Sequence, residues 1–152
     1  GTLPLVLLVS MVAAYLFLKR HIRTATAVIA SSLLGVIASQ LLKSLIDRGR
    51  PDIVPQLVNE VSGSFPSGHA MMSAIIYLTL GSMLARLEPD RRVRIFIVGV
   101  AIALPVAIGF SRVYLGVHWP SDVAGGWCLG ALWVLGVSRI LDAVVKQGAA
   151  RR

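Results

Sequence analysis

Two histidines, one carboxylate and three cations in this 152-residue sequence are spaced as a phosphate-handling site would require. His118 precedes Asp122 by four residues in the run Ser111-Arg112-Val-Tyr-Leu-Gly-Val-His118-Trp-Pro-Ser-Asp122. If a helix turns from Pro120, Asp122 can reach one imidazole nitrogen, fix the tautomer and stabilise the imidazolium. Arg112, at the end of the preceding apolar segment, adds a cation. A second cluster, Ser64-Phe-Pro66-Ser67-Gly68-His69, runs directly into another apolar segment. A helix beginning there offers an anion free backbone N–H groups and a positive dipole end. Ser67 fits its N-cap, Gly68 lets a ligand come close, and His69 falls in the first turn. The third cluster, Lys43-Ser-Leu-Ile-Asp-Arg-Gly-Arg50-Pro51, holds two cations seven residues apart. On a continuous helix that is about two turns, so both would share a face. Pro51 makes helix past Arg50 unfavourable. A lysine point charge and an arginine fork together suit an anion with several oxygens.

Each cluster alone has a plain reading. Lys43 and Arg50 could snorkel to headgroups from a helix end. Pro66-Ser67-Gly68 could be an ordinary turn before a helix, although that leaves His69 unexplained. His118 and Trp119 could be an interfacial pair beside a helix-start Asp122. The elements that carry the clusters decide between these readings.

Hydrophobic residues make up 56% of the chain and charged residues only 14%, with mean hydropathy +0.78. A soluble domain carries about a quarter charged residues. The apolar residues fall into five segments, expected as helices over about 3–18, 24–42, 69–87, 95–110 and 122–145. Several approach the roughly 20 residues that cross a bilayer, and an open sheet edge in lipid is excluded by its unpaired backbone. The fold class is therefore all-α, a polytopic transmembrane bundle with about five spanning helices forming a single domain over 1–152. The net charge of +8 flanks apolar segments and lacks interleaved aromatics. It reads as topology and contact with anionic membrane lipids, not as a nucleic-acid surface.

Eleven of the fifteen basic residues fall on one side: Lys19, Arg20, Arg23, Arg86, Arg91, Arg92, Arg94, Arg139, Lys146, Arg151 and Arg152. That side is expected to be cytoplasmic. Lys43, Arg48, Arg50 and Arg112 lie on the other side, against the rule, and all three chemical clusters are there with them. Convergence of three cations, two histidines and a carboxylate on that side, with four of its charges against the rule, favours one anion site over three accidents. Gly1 would also lie outside, which leads us to expect one further helix before it, six in all. The 26 residues from Lys43 to Gly68 form a long connection, of a length more often functional than idle.

The spacing Lys43-x6-Arg50-Pro51, then Pro66-Ser67-Gly68-His69, then Ser111-Arg112-x5-His118-x3-Asp122 resembles the type 2 phosphatidic acid phosphatase superfamily. All three motifs stand in order without a substitution at a motif position. The five lipid-length segments resemble its membrane branch, not the soluble vanadium haloperoxidases of the same superfamily. The resemblance implies a metal-independent lipid phosphatase without a cofactor, inhibited by vanadate. It implies that Lys43, Arg50, Ser67, Gly68 and Arg112 hold phosphate, and that His118 attacks phosphorus to form a phosphohistidine. By the same resemblance, Asp122 orients His118, while His69 protonates the leaving oxygen and then activates water. Phosphatidic acid, phosphatidylglycerol phosphate, undecaprenyl diphosphate and lipid A phosphate are the substrates such a site would take. The expected location is a bacterial inner membrane with the site facing the periplasm or cell exterior. A non-catalytic lipid-phosphate binder on the same scaffold, and a purely structural bundle subunit, are the competing readings.

Remaining residues are assigned on simpler grounds. His21 lies in the basic turn on the opposite side and is expected to be structural. Gly126-x3-Gly130 is a small-residue helix-packing pattern, expected to serve within the bundle before any dimer. Trp119 and Tyr114 fit an aromatic belt. Cys128, in an apolar run without partners for a disulfide or a metal, is expected to serve packing. Asp47, Arg48, Asp52 and Glu60 are expected in a solvated loop, with Arg48 able to assist phosphate though outside the motif.

Overall fold

The protein is described here from a computed structural model, which describes residues 2–52 and 62–150. Five helices follow one another: α1 (Thr2–Leu18), α2 (Ile22–Ile46), α3 (Gly68–Leu87), α4 (Arg91–Tyr114) and α5 (Pro120–Ala150). Among the described residues there is no strand. Among the described residues, four stretches are long and apolar enough to cross a bilayer: Thr24–Ile46, Gly68–Leu87, Arg91–Tyr114 and Pro120–Ile140. Leu3–Leu18 is apolar but shorter.

The helices run past the apolar segments from which they were expected. α4 begins four residues early, because Asp90 caps it, its carboxylate accepting the Arg92 N–H at 2.7 Å. It also carries Ser111 and Arg112 in its last turn. α2 continues to Ile46, so Lys43 lies in its last turn. Hydropathy marks only the lipid-buried part of a helix, and polar ends remain helical as long as their backbone groups are bonded.

α3 lies at the centre and touches all four other helices, most extensively α4 and α5. Small residues make these approaches close. The buried stripe of α4 is Ala101, Pro105 and Gly109, spaced four apart along one face. A Cβ on Gly81 of α3 would meet the Ala101 Cβ, and one on Gly109 would meet Trp127 and Val123 of α5. The large apolar residues instead face outward, among them Ile95, Phe96, Ile102 and Phe110. Small residues inside and large ones outside are the pattern of helices packed in lipid. Cys128 also faces outward, because the inward face of α5 is taken by its glycines.

Gly126 and Gly130 pack within the bundle, as expected. A Cβ on Gly126 would lie 2.8 Å from the Ser67 carbonyl oxygen and 3.0 Å from the Met71 nitrogen, both backbone atoms of the α3 start. Gly126→Ala should therefore push α5 from α3 and destabilise the protein by about 1–3 kcal/mol. Gly136, on the same helix, has open space around it, and Gly136→Ala should be neutral or slightly stabilising. Thermal denaturation of both variants in detergent checks this pair; equal midpoints would refute the close α3–α5 contact.

Candidate active site

The site forms where the C-terminal ends of α2 and α4 meet the N-terminal ends of α3 and α5. α2 stops because Asp47 adopts a left-handed conformation, φ 40°, with its N–H bonded to the Lys43 carbonyl. The chain then leaves the helix axis, so Lys43 and Arg50 do not share a helix face as their spacing suggested. They meet by another route. Lys43, only 7% exposed, donates from Nζ to the Gly63 carbonyl at 2.8 Å and to Ser62 Oγ at 3.4 Å. Arg50 donates from Nη2 to the same two oxygens, at 3.5 and 3.4 Å, from Nε to the Ser62 carbonyl at 2.9 Å, and from Nη1 to the Val117 carbonyl at 2.7 Å. The two cations thus converge beside the residue that precedes His118.

α3 begins at Gly68 with Ser67 at the N-cap position, backbone extended. Ser67 does not cap with its side chain as expected. Its Oγ is buried without a partner within the protein, while its N–H donates to the Asp122 carbonyl at 3.0 Å and its carbonyl accepts the Met71 N–H at 2.9 Å. A buried hydroxyl left over at a helix N-terminus fits an anion ligand. A Cβ on Gly68 would rest at ordinary contact, 3.6 Å from Ser39 Oγ and 3.7 Å from Lys43 Cε. The fold itself therefore tolerates a side chain there, and the glycine keeps clear the space beside Lys43. His69 follows in the first turn of α3, as its position in the sequence suggested.

α5 starts at Pro120, which suits a position whose N–H would have no helical partner. This start brings Asp122 under the loop 115–119. Asp122 is 0% exposed and His118 3%. His118 Nδ1 stands 3.6 Å from Asp122 Oδ2, just outside hydrogen-bond length, as catalytic pairs often are before substrate binds. Asp122 Oδ2 accepts the Trp119 N–H at 2.9 Å. Because Nδ1 faces the carboxylate, Nε2 is the nitrogen left for chemistry. Burial first, then the positive charges of Arg50 and Lys43, push the His118 imidazole down from 6.5 to about 4, against the opposing pull of Asp122. At neutral pH it is an uncharged base. Arg112 stands at the same end in the last turn of α4. Its carbonyl accepts the Val117 N–H at 3.3 Å, and its Nε lies 3.5 Å from Ser111 Oγ, so its link to His118 runs through the backbone.

Other expectations fare differently. His21 is exposed in the α1–α2 turn at the far end. Tyr114 is exposed, as a belt residue would be. Trp119 instead donates from Nε1 to the Gly49 carbonyl at 3.1 Å. Asp47 and Asp52 are exposed, and Glu60 lies outside the described residues. Arg48 lies in the loop with its side chain 39% exposed, yet it is tied to the site. Its Nη1 pairs with Asp122 Oδ1 at 2.7 Å. The signal for it was already present, since Arg48 is one of the four cations on the side the topology rule disfavours.

A family model described as the PAP2 superfamily matches residues 24–146. The chain is 43% identical over 99 residues to phosphatidylglycerophosphatase B of Bacillus subtilis, a match covering 63% of this chain and 47% of the relative. It is 30% identical over 127 residues to an undecaprenyl-diphosphatase of Sulfolobus acidocaldarius, covering 80% of this chain and 57% of the relative. The chain thus spans about half the length of these curated relatives. Among solved structures, a transmembrane PAP2-type phosphatidylglycerolphosphate phosphatase from Bacillus subtilis superposes with a TM-score of 0.85 at 32% identity, over 95% of this chain and 72% of that one.

Proposed function

The chain belongs to the PAP2 superfamily, and from that premise we propose that it is a membrane lipid phosphatase working through a phosphohistidine on His118. The observation that carries this reading is the buried His118–Asp122 pair, at 3.6 Å, at the end of the bundle where Lys43 and Arg50 converge on Gly63. Phosphoryl transfer needs charge neutralisation, in-line placement and proton management, and these residues supply all three.

The phosphate oxygens exchange places with the loop oxygens that Lys43 and Arg50 now hold, with Arg112, the Ser67 hydroxyl and the Gly68 N–H completing the cradle. His118 Nε2 attacks phosphorus. The nitrogen–phosphorus bond forms as the bond to the lipid oxygen breaks, and His69 gives that oxygen its proton. Positive charge developing on the imidazole is met at Nδ1 by Asp122 Oδ2, closing the 3.6 Å gap. Water then attacks the phosphohistidine, His69 taking back its proton, and inorganic phosphate leaves with His118 restored.

The substrates proposed are phosphatidic acid, phosphatidylglycerol phosphate and undecaprenyl diphosphate, presented at the membrane surface where the site opens. The expectation from the sequence that eleven of the fifteen basic residues lie on the opposite side supports an inner membrane with the site on its outer face. The cations that hold phosphate take the place a divalent metal would have, so turnover should survive EDTA. Wild-type protein in detergent with EDTA is expected to release inorganic phosphate from at least one of the three lipids, and vanadate to block it. No release from any of them by folded protein would overturn the reading, and release that requires added divalent metal would overturn its metal independence.

A further inference from the structure

Arg48 belongs to none of the three motifs, yet it is built into the site. A fully buried carboxylate needs a compensating charge. His118 is uncharged at neutral pH and 3.6 Å away, so it does not supply one in the resting protein. Arg48 does, at 2.7 Å from Oδ1, while the Trp119 N–H holds Oδ2 at 2.9 Å. With one bond on each oxygen, the plane of the carboxylate is set before any imidazolium forms.

Arg48 is itself braced. Its Nη1 also donates to Ser121 Oγ at 2.8 Å, and its guanidinium carbon lies 5.8 Å from the centre of the Trp119 ring. Its carbonyl accepts the Ser64 N–H at 2.9 Å. The next carbonyl, of Gly49, accepts Ser64 Oγ at 3.0 Å and Trp119 Nε1 at 3.1 Å. Loop 47–50 is therefore pinned on one side to Ser64, ahead of α3, and on the other to the start of α5. A side chain that merely snorkels to headgroups needs none of this.

We propose that Arg48 is a positioning residue of the reaction: it holds Asp122 by Oδ1 in the plane that presents Oδ2 to His118 Nδ1. The proposal rests on the phosphatase reading above. The alternative role, a fourth phosphate ligand, would require Arg48 to leave the carboxylate.

The test uses the full chain in detergent, with Arg48→Met, Arg48→Lys, Asp122→Asn and the Arg48→Met/Asp122→Asn double variant. Arg48→Met should lower kcat by about 10- to 100-fold, leaving KM and vanadate inhibition nearly unchanged. Arg48→Lys should recover much of the loss, and in the Asp122→Asn background Arg48→Met should cost little more. A rise in KM and weakened vanadate inhibition with kcat kept would make Arg48 a phosphate ligand and overturn the proposal. So would an undiminished loss in the Asp122→Asn background, or no change at all. If Arg48→Met does not fold, Arg48→Gln carries the same division, a fall in kcat with KM kept supporting the proposal and a rise in KM with kcat kept opposing it.

A second readout does not depend on turnover. His118 faces Lys43 from α2, Arg50 from the loop and Asp122 from α5, with His69 and Arg112 at the same end on α3 and α4. Freeing the carboxylate should raise the His118 titration midpoint, followed by NMR, by about 1 unit in Arg48→Met. An unmoved midpoint overturns the proposal even where no lipid is hydrolysed. Absence of wild-type hydrolysis with a raised midpoint sinks the phosphatase reading and leaves the Arg48 clamp standing.

Discussion

His118→Ala should leave a folded protein whose phosphate release falls by at least about 10⁴-fold, the scale on which loss of a covalent nucleophile is felt. The fold should survive because the loop around residue 118 is fastened by bonds that do not pass through the imidazole. The Val117 carbonyl is held by Arg50 at 2.7 Å and its N–H by the Arg112 carbonyl at 3.3 Å. Asp122 keeps both of its other partners, Arg48 and the Trp119 N–H, so no buried charge is stranded. Activity should collapse because the pocket would keep its cations and lose the one group placed to attack. Wild-type protein mixed with labelled lipid phosphate and quenched in alkali should carry an acid-labile, alkali-stable phosphoryl group, and His118→Ala should carry none. Retained turnover, or label on the variant, would remove His118 as the nucleophile. A matching fall in the thermal midpoint would mean that the loss reports unfolding.

Much of this candidate site was legible in the chain because the residues proposed for its chemistry are local to three short stretches. Pro66 to His69 leads into a helix start, and the free N–H groups of such a start follow from consecutive residues, although the Ser67 side chain does not cap it. His118 and Asp122 are four apart, so a helix starting at Pro120 suffices to bring them together. The apolar segments showed the helices but cut α4 and α2 short, because hydropathy reports the lipid and not the backbone bonds. What the sequence did not show arises from chain reversal. The left-handed residue at Asp47 ends α2 three residues before Arg50, and no periodicity announces where the loop beyond it returns. Lys43 and Arg50 meet through the Ser62 hydroxyl and the Gly63 carbonyl, not through a common helix face. The partner of Arg48 is 74 residues away, a separation over which spacing says nothing, although its place on the outer side gave a reason to doubt that it was idle.

Arg50→Met should lower kcat/KM by about 10³-fold, the scale on which an arginine that stabilises a phosphoryl transition state is felt, and should also move the acid limb of the pH profile upward. Both effects come from one position. Arg50 sits between the oxygens of residues 62–63 and the Val117 carbonyl, so its charge is shared by the phosphate cradle and the neighbourhood of His118. After burial, Arg50 is the largest cause of the fall in the His118 pKa to about 4. The acid limb of kcat/KM reports the free enzyme, and His118 must be unprotonated to attack, so in wild type that limb should lie near 4. Without Arg50 the imidazolium loses a repelling neighbour while Asp122 still attracts it. The folded pKa rises, and activity should begin to fall at higher pH as the solution is made acid. The basic limb, set by loss of the proton that His69 donates, should move less, because Arg50 acts on the nucleophile's side of the phosphate. Arg50→Lys should restore part of the pH shift, since it keeps the charge. It should restore less of the rate, since an ammonium cannot reproduce a planar fork that reaches the Val117 and Ser62 carbonyls together. Measurement of kcat/KM from pH 3.5 to 9 for the three proteins separates the effects. A rate loss with an unmoved acid limb would mean that Arg50 binds phosphate without tuning His118, and an unchanged rate would remove it from the site.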